Sequence, residues 1–373
     1  MDSGFSRGAF AGGRVDTRPS PRGVRPIRLL IVDDSIVVRT VMSRLFAERA
    51  EFEVVAAARN VAQALEELDK ASVDIILLDL QMPGIDGLTA LPQLIERSQG
   101  ARILIVSSHA ASGAESTVRA LTLGAADTLQ KPGAGEFGER FADILAERLR
   151  RLGHAPRLGQ PRPAAIKAET PASIKLQPMR HGPVDCIAIG ASTGGIHALT
   201  ALFRSLASQV DAPVLITQHL PPVFMSYFAG QMQEIAGRPA VTAVDGMLLR
   251  RGHIVVATGD AHIRLVRMPD GVRIRFDRTP QPSGCTPSVD PMLAAVADIY
   301  GPTGIGVVLS GMGRDGAIGA GLLVSAGGEV IVQDAETSVV WGMPGAIARG
   351  GNASLVAPAE RLADRLLQRV LTR

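Results

Sequence analysis

Three short apolar runs in the C-terminal half each lead into a residue able to take part in acyl transfer. Cys186-Ile187-Ala188-Ile189 is followed by Gly190-Ala191-Ser192-Thr193-Gly194-Gly195 and then by a stretch of helical period. This is G-x-S-x-G at a strand–turn–helix junction, where small residues permit a sharp turn that exposes the serine hydroxyl. The helix N-terminus behind it offers unpaired N–H groups to a developing negative charge. A phosphate or dinucleotide loop is the competing reading. No Lys-Ser or Lys-Thr follows, however, and the loop at 190–195 does not read G-x-G-x-x-G.

A serine is a weak nucleophile without a positioned base. His219 follows the run Val214–Thr217 and precedes Leu220-Pro221-Pro222, so it falls at the same sheet edge as Ser192. His109, His154, His181, His197, His253 and His262 lie in weaker contexts, and His197 sits in the helical stretch after Ser192. The base in turn needs an acid to orient it. Val307-Val308-Leu309 runs into the glycine-rich Ser310–Gly316 with one carboxylate, Asp315, and the amide of Met312 there is a candidate oxyanion donor. Asp290 is the rival acid, although Pro287-Ser288-Val289-Asp290-Pro291 reads as a helix start.

The N-terminal half carries a different set. Asp33 and Asp34 end the run Leu29–Val32, Asp79 ends Ile75–Leu78, Ser107 ends Ile103–Val106, and Lys131 follows a short strand near 127–130. In open parallel sheets, ligands collect beyond the carboxyl ends of the strands, so these residues should converge. Clustered carboxylates suit a hard divalent cation such as Mg²⁺, and a lone carboxylate can accept a phosphoryl group. Asp79 is the acceptor candidate, and Asp33 and Asp34 would hold the metal together with it. Lys131 and Ser107 would contact the phosphoryl oxygens.

Positioning these groups requires two α/β units. Apolar runs at Leu29–Val32, Val54–Ala57, Ile75–Leu78 and Ile103–Val106 alternate with helical stretches such as Val61–Leu68 and Thr117–Leu123. Continuously apolar strands separated by helices indicate a parallel sheet covered on both faces. From 184 a second such pattern begins, with runs at Cys186–Ile189, Val214–Thr217, Ile254–Ala257, Gly306–Leu309 and Val330–Val332. Arg264–Val266 and Val272–Phe276 flank Pro269-Asp270-Gly271 as a hairpin, an antiparallel excursion in a mostly parallel sheet. The expected division is a disordered leader at 1–26, a first domain at 27–150, a Pro/Arg-rich linker at 151–183 and a second domain at 184–373.

Composition narrows the class. At 373 residues the chain suits two domains, and 46% hydrophobic with 20% charged residues is globular composition. The net charge of +3 comes with its excess Lys and Arg in the proline-rich middle, without interleaved aromatics, which argues for a solvated linker and against a nucleic-acid surface. Two cysteines are too few for a disulfide framework. The first residues lack a secretion core and no run is long enough to span a bilayer, so a cytoplasmic protein without membrane insertion is expected.

Both halves carry resemblances. Val32-Asp33-Asp34-Ser35, Leu78–Gly87 and Lys131-Pro132 resemble the response-regulator receiver family over residues 27–150. The resemblance implies a flavodoxin-like (βα)5 fold, Mg²⁺ and phosphotransfer from a sensor histidine kinase to Asp79. One departure is Thr128, where the family usually has an aromatic switch residue. Ile189–Gly195, Gln218–Pro222, Thr286–Asp290, Gly311–Gly316 and Gly342-Met343-Pro344 resemble the catalytic domain of chemotaxis protein-glutamate methylesterases, the CheB family, over about 184–373. That resemblance implies a doubly wound α/β domain with Ser192, His219 and Asp315 as the triad. Met312 would serve the oxyanion and Thr193 would line the site, with no cofactor. The implied substrates are methylated glutamates of chemoreceptors, and some members also deamidate glutamine. The rivals are a DNA-binding output domain, which would be smaller, and a non-catalytic protein-binding output domain.

Overall fold

A computed structural model describes residues 25–107, 113–132, 137–153, 174–206 and 210–371. Most of the expected leader and much of the expected linker, with His109 and His154, lie outside the described residues.

The first unit alternates strand and helix: β1 (Ile27–Val32), α1 (Ile36–Ala47), β2 (Phe52–Ala58), α2 (Val61–Lys70), β3 (Ile75–Leu78), α3 (Gly87–Arg97), β4 (Arg102–Ser107), α4 (Ala114–Leu123), β5 (Asp127–Gln130) and α5 (Glu139–Gly153). The strands pair in parallel in the order β2-β1-β3-β4-β5, which puts the switch in strand order beside β1 and β3. Helix starts are written locally. The side chains of Ser35, Asn60 and Asp86 accept from Val38 N, Gln63 N and Thr89 N, satisfying N–H groups that the first turn leaves unpaired.

The second unit contains β6 (Cys186–Ala191), α6 (Gly195–Ser205), β7 (Val214–Gln218), α7 (Pro222–Ala236), β8 (Ala240–Thr242), β9 (Ile254–Val256), β10 (His262–Met268) and β11 (Gly271–Asp277). It continues with α8 (Val289–Tyr300), β12 (Gly304–Val308), α9 (Ala317–Ser325), β13 (Glu329–Gln333), α10 (Met343–Arg349), β14 (Leu355–Ala357) and α11 (Ala359–Leu371). Seven strands pair in the order β14-β13-β12-β6-β7-β9-β8, all in parallel. The hairpin corrects an expectation: β10 and β11 form a separate two-stranded sheet rather than an excursion of the main one. A parallel sheet buried on both faces leaves their alternating arginines no place in it; Arg264, Arg273 and Arg275 turn instead to exposed or half-buried Asp277, Asp270 and Asp245. Because β6 lies between β7 and β12, the loops after these three strands open into one crevice.

The two units share a core. Ala114, Val118 and Leu121 of α4 lie in the same apolar cluster as Ile196, Phe224 and Phe228 of the second unit. Residues 174–183 run along the second unit, where Gln177 Nε2 donates to Gly351 O at 2.7 Å. Arg369 Nε donates to Gly182 O at 3.0 Å while its Nη1 reaches Glu329 Oε2 at 2.6 Å. Arg365 also grips Glu329, Nε to Oε1 at 3.0 Å and Nη2 to Oε2 at 3.0 Å. Glu329 is wholly buried, so its removal would leave two guanidinium groups without their counter-charge. Glu329→Ala should destabilise the second unit by about 3–5 kcal/mol, read from the midpoint of its urea transition.

Candidate active site

Asp315, just after β12, is 1% exposed and must find its hydrogen bonds inside the protein. It accepts from Ser288 Oγ at 2.6 Å on Oδ1 and from Val289 N at 2.7 Å on Oδ2. His219 Nε2 completes the set, 2.8 Å from Oδ2. A second histidine stands behind the acid. His262 is fully buried, takes the Ser288 amide on Nδ1 at 2.9 Å and donates from Nε2 to Thr279 O at 3.1 Å. Asp290 takes the helix-start position in the first turn of α8 and accepts from Gly319 N at 2.8 Å, joining α8 to α9.

Burial disfavours charge on the His219 ring. Its hydrogen bond to Asp315 and the nearby Cys285 sulfur outweigh that and push the ring up to about 9. Burial likewise raises the Asp315 carboxyl, but His219, Ser288 and the Val289 amide hold it well below the usual carboxylate range.

Ser192 follows β6 on a loop braced from three sides. Its amide donates to Ser310 O at 3.0 Å, and its carbonyl accepts from Gly195 N at 2.8 Å and Gln218 Nε2 at 2.9 Å. Gly194 has φ +74, and a Cβ there would meet Val339 at 2.5 Å, so the turn admits only glycine. Ser192, Thr193, His219, Met312 and Asp315 line one cavity of about 820 Å³. The structure thus brings all five predicted residues together. Among the described residues the Ser192 hydroxyl shares the cavity with the ring without a hydrogen bond to it, and the Met312 amide has no acceptor.

The opposite wall of this cavity belongs to the first unit, through Asp127 of β5 and Ile144, Glu147, Arg148 and Arg151 of α5. Thr193 Oγ1 donates to Asp127 Oδ2 at 2.8 Å, and Gly194 N donates to Ala126 O at 2.7 Å. Arg148 Nη1 binds the same Asp127 oxygen at 2.9 Å and Thr128 O at 2.8 Å.

At the strand ends of the first unit, Lys131 Nζ lies 2.5 Å from Asp79 Oδ2 and 2.7 Å from Asp33 Oδ2. Burial pushes the Asp79 carboxyl up, against the pull of Lys131. Asp33, Asp34 and Asp79 place oxygens within 4.8 Å of one another. Hard oxygen donors at this spacing, with Asp34 open to solvent, fit an octahedral Mg²⁺ that keeps several waters. Ser107 stands at the end of β4, its Oγ accepting from Thr117 at 3.4 Å.

Residues 187–366 match the family model for CheB methylesterase, and residues 29–138 match that for a response regulator receiver domain. A Rhodospirillum rubrum protein-glutamate methylesterase/protein-glutamine glutaminase is 37% identical over 369 residues, covering 92% of this chain and 95% of its own. The chain belongs to that family. A Caulobacter vibrioides member is 39% identical over 352 residues, covering 92% of this chain and 99% of its own. The Thermotoga maritima CheB methylesterase catalytic domain aligns at 34% identity over 50% of this chain and 98% of that one, with a TM-score of 0.48.

In this member of the methylesterase family, His262 and Cys285 carried no readable signal, since they lie in or against an aperiodic polar segment. Gln218 and Ser288 fell within the motifs Gln218–Pro222 and Thr286–Asp290, but without a role of their own. The raised His219 ring contributes stability that is complete below its ordinary value near 6.5 and is lost as pH rises through about 9. Asp315→Asn removes the anion facing the ring, and an NMR titration of His219 should show its pKa falling toward 6.5.

Proposed function

We propose that this chain hydrolyses methyl esters of glutamate side chains on chemoreceptors, with Ser192 as nucleophile, His219 as base and Asp315 as orienting acid. The observation that carries the reading is the His219–Asp315 contact of 2.8 Å at the wall of a cavity that Ser192 also lines. With Nε2 engaged by Asp315, Nδ1 of the neutral ring is the nitrogen left to take the Ser192 proton. The alkoxide attacks the ester carbon, and the Met312 amide holds the oxyanion with help from the start of α6. His219 returns its proton to the departing methanol. Water, activated by the same ring, then frees the glutamate. Glutamine would follow the same path with ammonia leaving, so deamidation is within reach of this site.

The receiver unit supplies control. Asp79 would accept a phosphoryl group from a chemotaxis-type sensor histidine kinase, steadied by Lys131 and Ser107. Mg²⁺ held by Asp33, Asp34 and Asp79 would offset charge on the transferred group. In the closed arrangement, Asp127 of β5 and Ala126 just before it engage Thr193 and Gly194 beside the nucleophile, and α5 walls the cavity. Thr128 takes the place of the usual aromatic residue, and its buried Oγ1 has no partner among the described residues. Phosphorylation is therefore read as loosening β5 from the nucleophile loop. Among the described residues no helix is long and apolar enough to cross a membrane, and the proposed place of action is the cytoplasm.

Methanol release from methyl-labelled receptor membranes tests the chemistry. Ser192→Ala should lower kcat on the order of 10⁶-fold, and Asp315→Asn about 10⁴-fold. Retention of most methanol release by Ser192→Ala would end the esterase reading. Control is tested without phosphodonor. Asp127→Ala removes a charge-assisted bond of about 1.5–3 kcal/mol and should raise the resting rate by roughly 10- to 100-fold. An unchanged resting rate would remove Asp127 from the control mechanism.

A further inference from the structure

Among the described residues that line the cavity, Cys285 has a reactive group that ester hydrolysis leaves unused. It lies with His219 and Asp315 in a cluster whose sulfur, ring nitrogen and carboxylate oxygen are all within 4.8 Å of one another. Its position is built rather than incidental. His262 pins the segment that carries it at both ends, at Thr279 O and at Ser288 N. Within that segment the Cys285 amide donates to Ser283 Oγ at 3.3 Å. The ring has two nitrogens, and Asp315 takes Nε2. A hydroxyl at 192 and a thiol at 285 therefore border one base with one nitrogen to spare.

We propose that Cys285 is a second nucleophile served by the same His219–Asp315 pair, and a site of reversible oxidation by peroxides that silences Ser192. The silencing rests on the esterase reading above; the reactive thiol does not. The Cys285 proton passes to His219, giving a thiolate beside an imidazolium that the buried carboxylate steadies. The sulfur attacks the near oxygen of a peroxide, and an S–O bond forms as the O–O bond breaks. Sulfur loses two electrons and the peroxide gains them. The departing hydroxide or alkoxide takes the proton from His219 and leaves as water or alcohol. The resulting sulfenic acid stands in the space that the ester must enter, and thiols reverse it. Cys186 is a built-in control, since it is fully buried and burial pushes its thiol well up.

The test is timed alkylation of the full chain with iodoacetamide at neutral pH, read by peptide mass spectrometry. Cys285 should label about tenfold faster than free cysteine while Cys186 stays unlabelled, because a ring nitrogen within 4.8 Å is placed to take up the thiol proton. His219→Gln should return Cys285 to the free-cysteine rate. Ser192→Ala, which leaves the ring to the thiol alone, should label at least as fast as the parent chain. Labelling no faster than free cysteine, a rate unmoved by His219→Gln, or slower labelling in Ser192→Ala would each overturn the shared-base assignment. Hydrogen peroxide should then abolish methanol release, dithiothreitol should restore it, and Cys285→Ser should keep its own untreated rate. Equal peroxide loss in Cys285→Ser would overturn the silencing. A chain without esterase activity would still report on the thiol through alkylation, so the two readings fail separately.

Discussion

A carboxylate with almost no solvent contact organises the second unit. Asp315 cannot be left without partners, because an unpaired buried charge costs several kcal/mol. Its two oxygens are met from two other places in the chain, His219 after β7 and the adjacent Ser288 hydroxyl and Val289 amide at the start of α8, and the acid itself stands on the loop after β12. Satisfying one acid therefore fixes the relative positions of three loops. It also leaves the imidazole one direction in which to work. Orientation of the imidazole and stability of the loop cluster are here the same interaction seen from two sides, which is why His262 and Ser288 bear on the site without lining the cavity.

Strand β5 performs a comparable service between the units. Lys131, just beyond its end, bridges Asp79 and Asp33, while Asp127 at its start binds Thr193 beside the nucleophile. Four extended residues span about 13 Å. The charged cluster around Asp79 thus lies at one end of a short segment whose other end is bonded to the Ser192 loop. Arg148 keeps Asp127 in place from α5, so a single carboxylate serves as anchor for both the receiver's own helix and its neighbour's active-site turn.

Much of this was legible in the chain. Short apolar runs exposed β1, β3, β4, β6, β7 and β12, and the rule that ligands gather at the carboxyl ends of parallel strands then placed Asp33, Asp79, Ser192, His219 and Asp315. The three-residue strands β8 and β14 were too short to show a pattern, and the seven-residue α10 too short to show a period. The hairpin was visible, but which sheet it joins depends on what else is buried. The roles of Ser288 and His262 behind Asp315 escaped because they act through contacts formed only on folding. Asp127, and its bond to Thr193, escaped for a related reason: a contact between units leaves no periodic trace in either.

The anchoring of residues 174–183 on the second unit changes what separating the two halves can mean. Gln177 and the carbonyl of Gly182 are tied to Gly351 and Arg369, so Gly153 and Ile174 are the points between which the chain must stretch. Twenty intervening residues reach at most about 70 Å even when fully extended. A receiver released from the cavity thus stays tethered at an effective concentration in the millimolar range. Under that tether an intermolecular Kd near 10 µM, about 7 kcal/mol, would suffice to keep the halves together 99 times in 100. Reclosure is then unimolecular and independent of how much protein the cell holds.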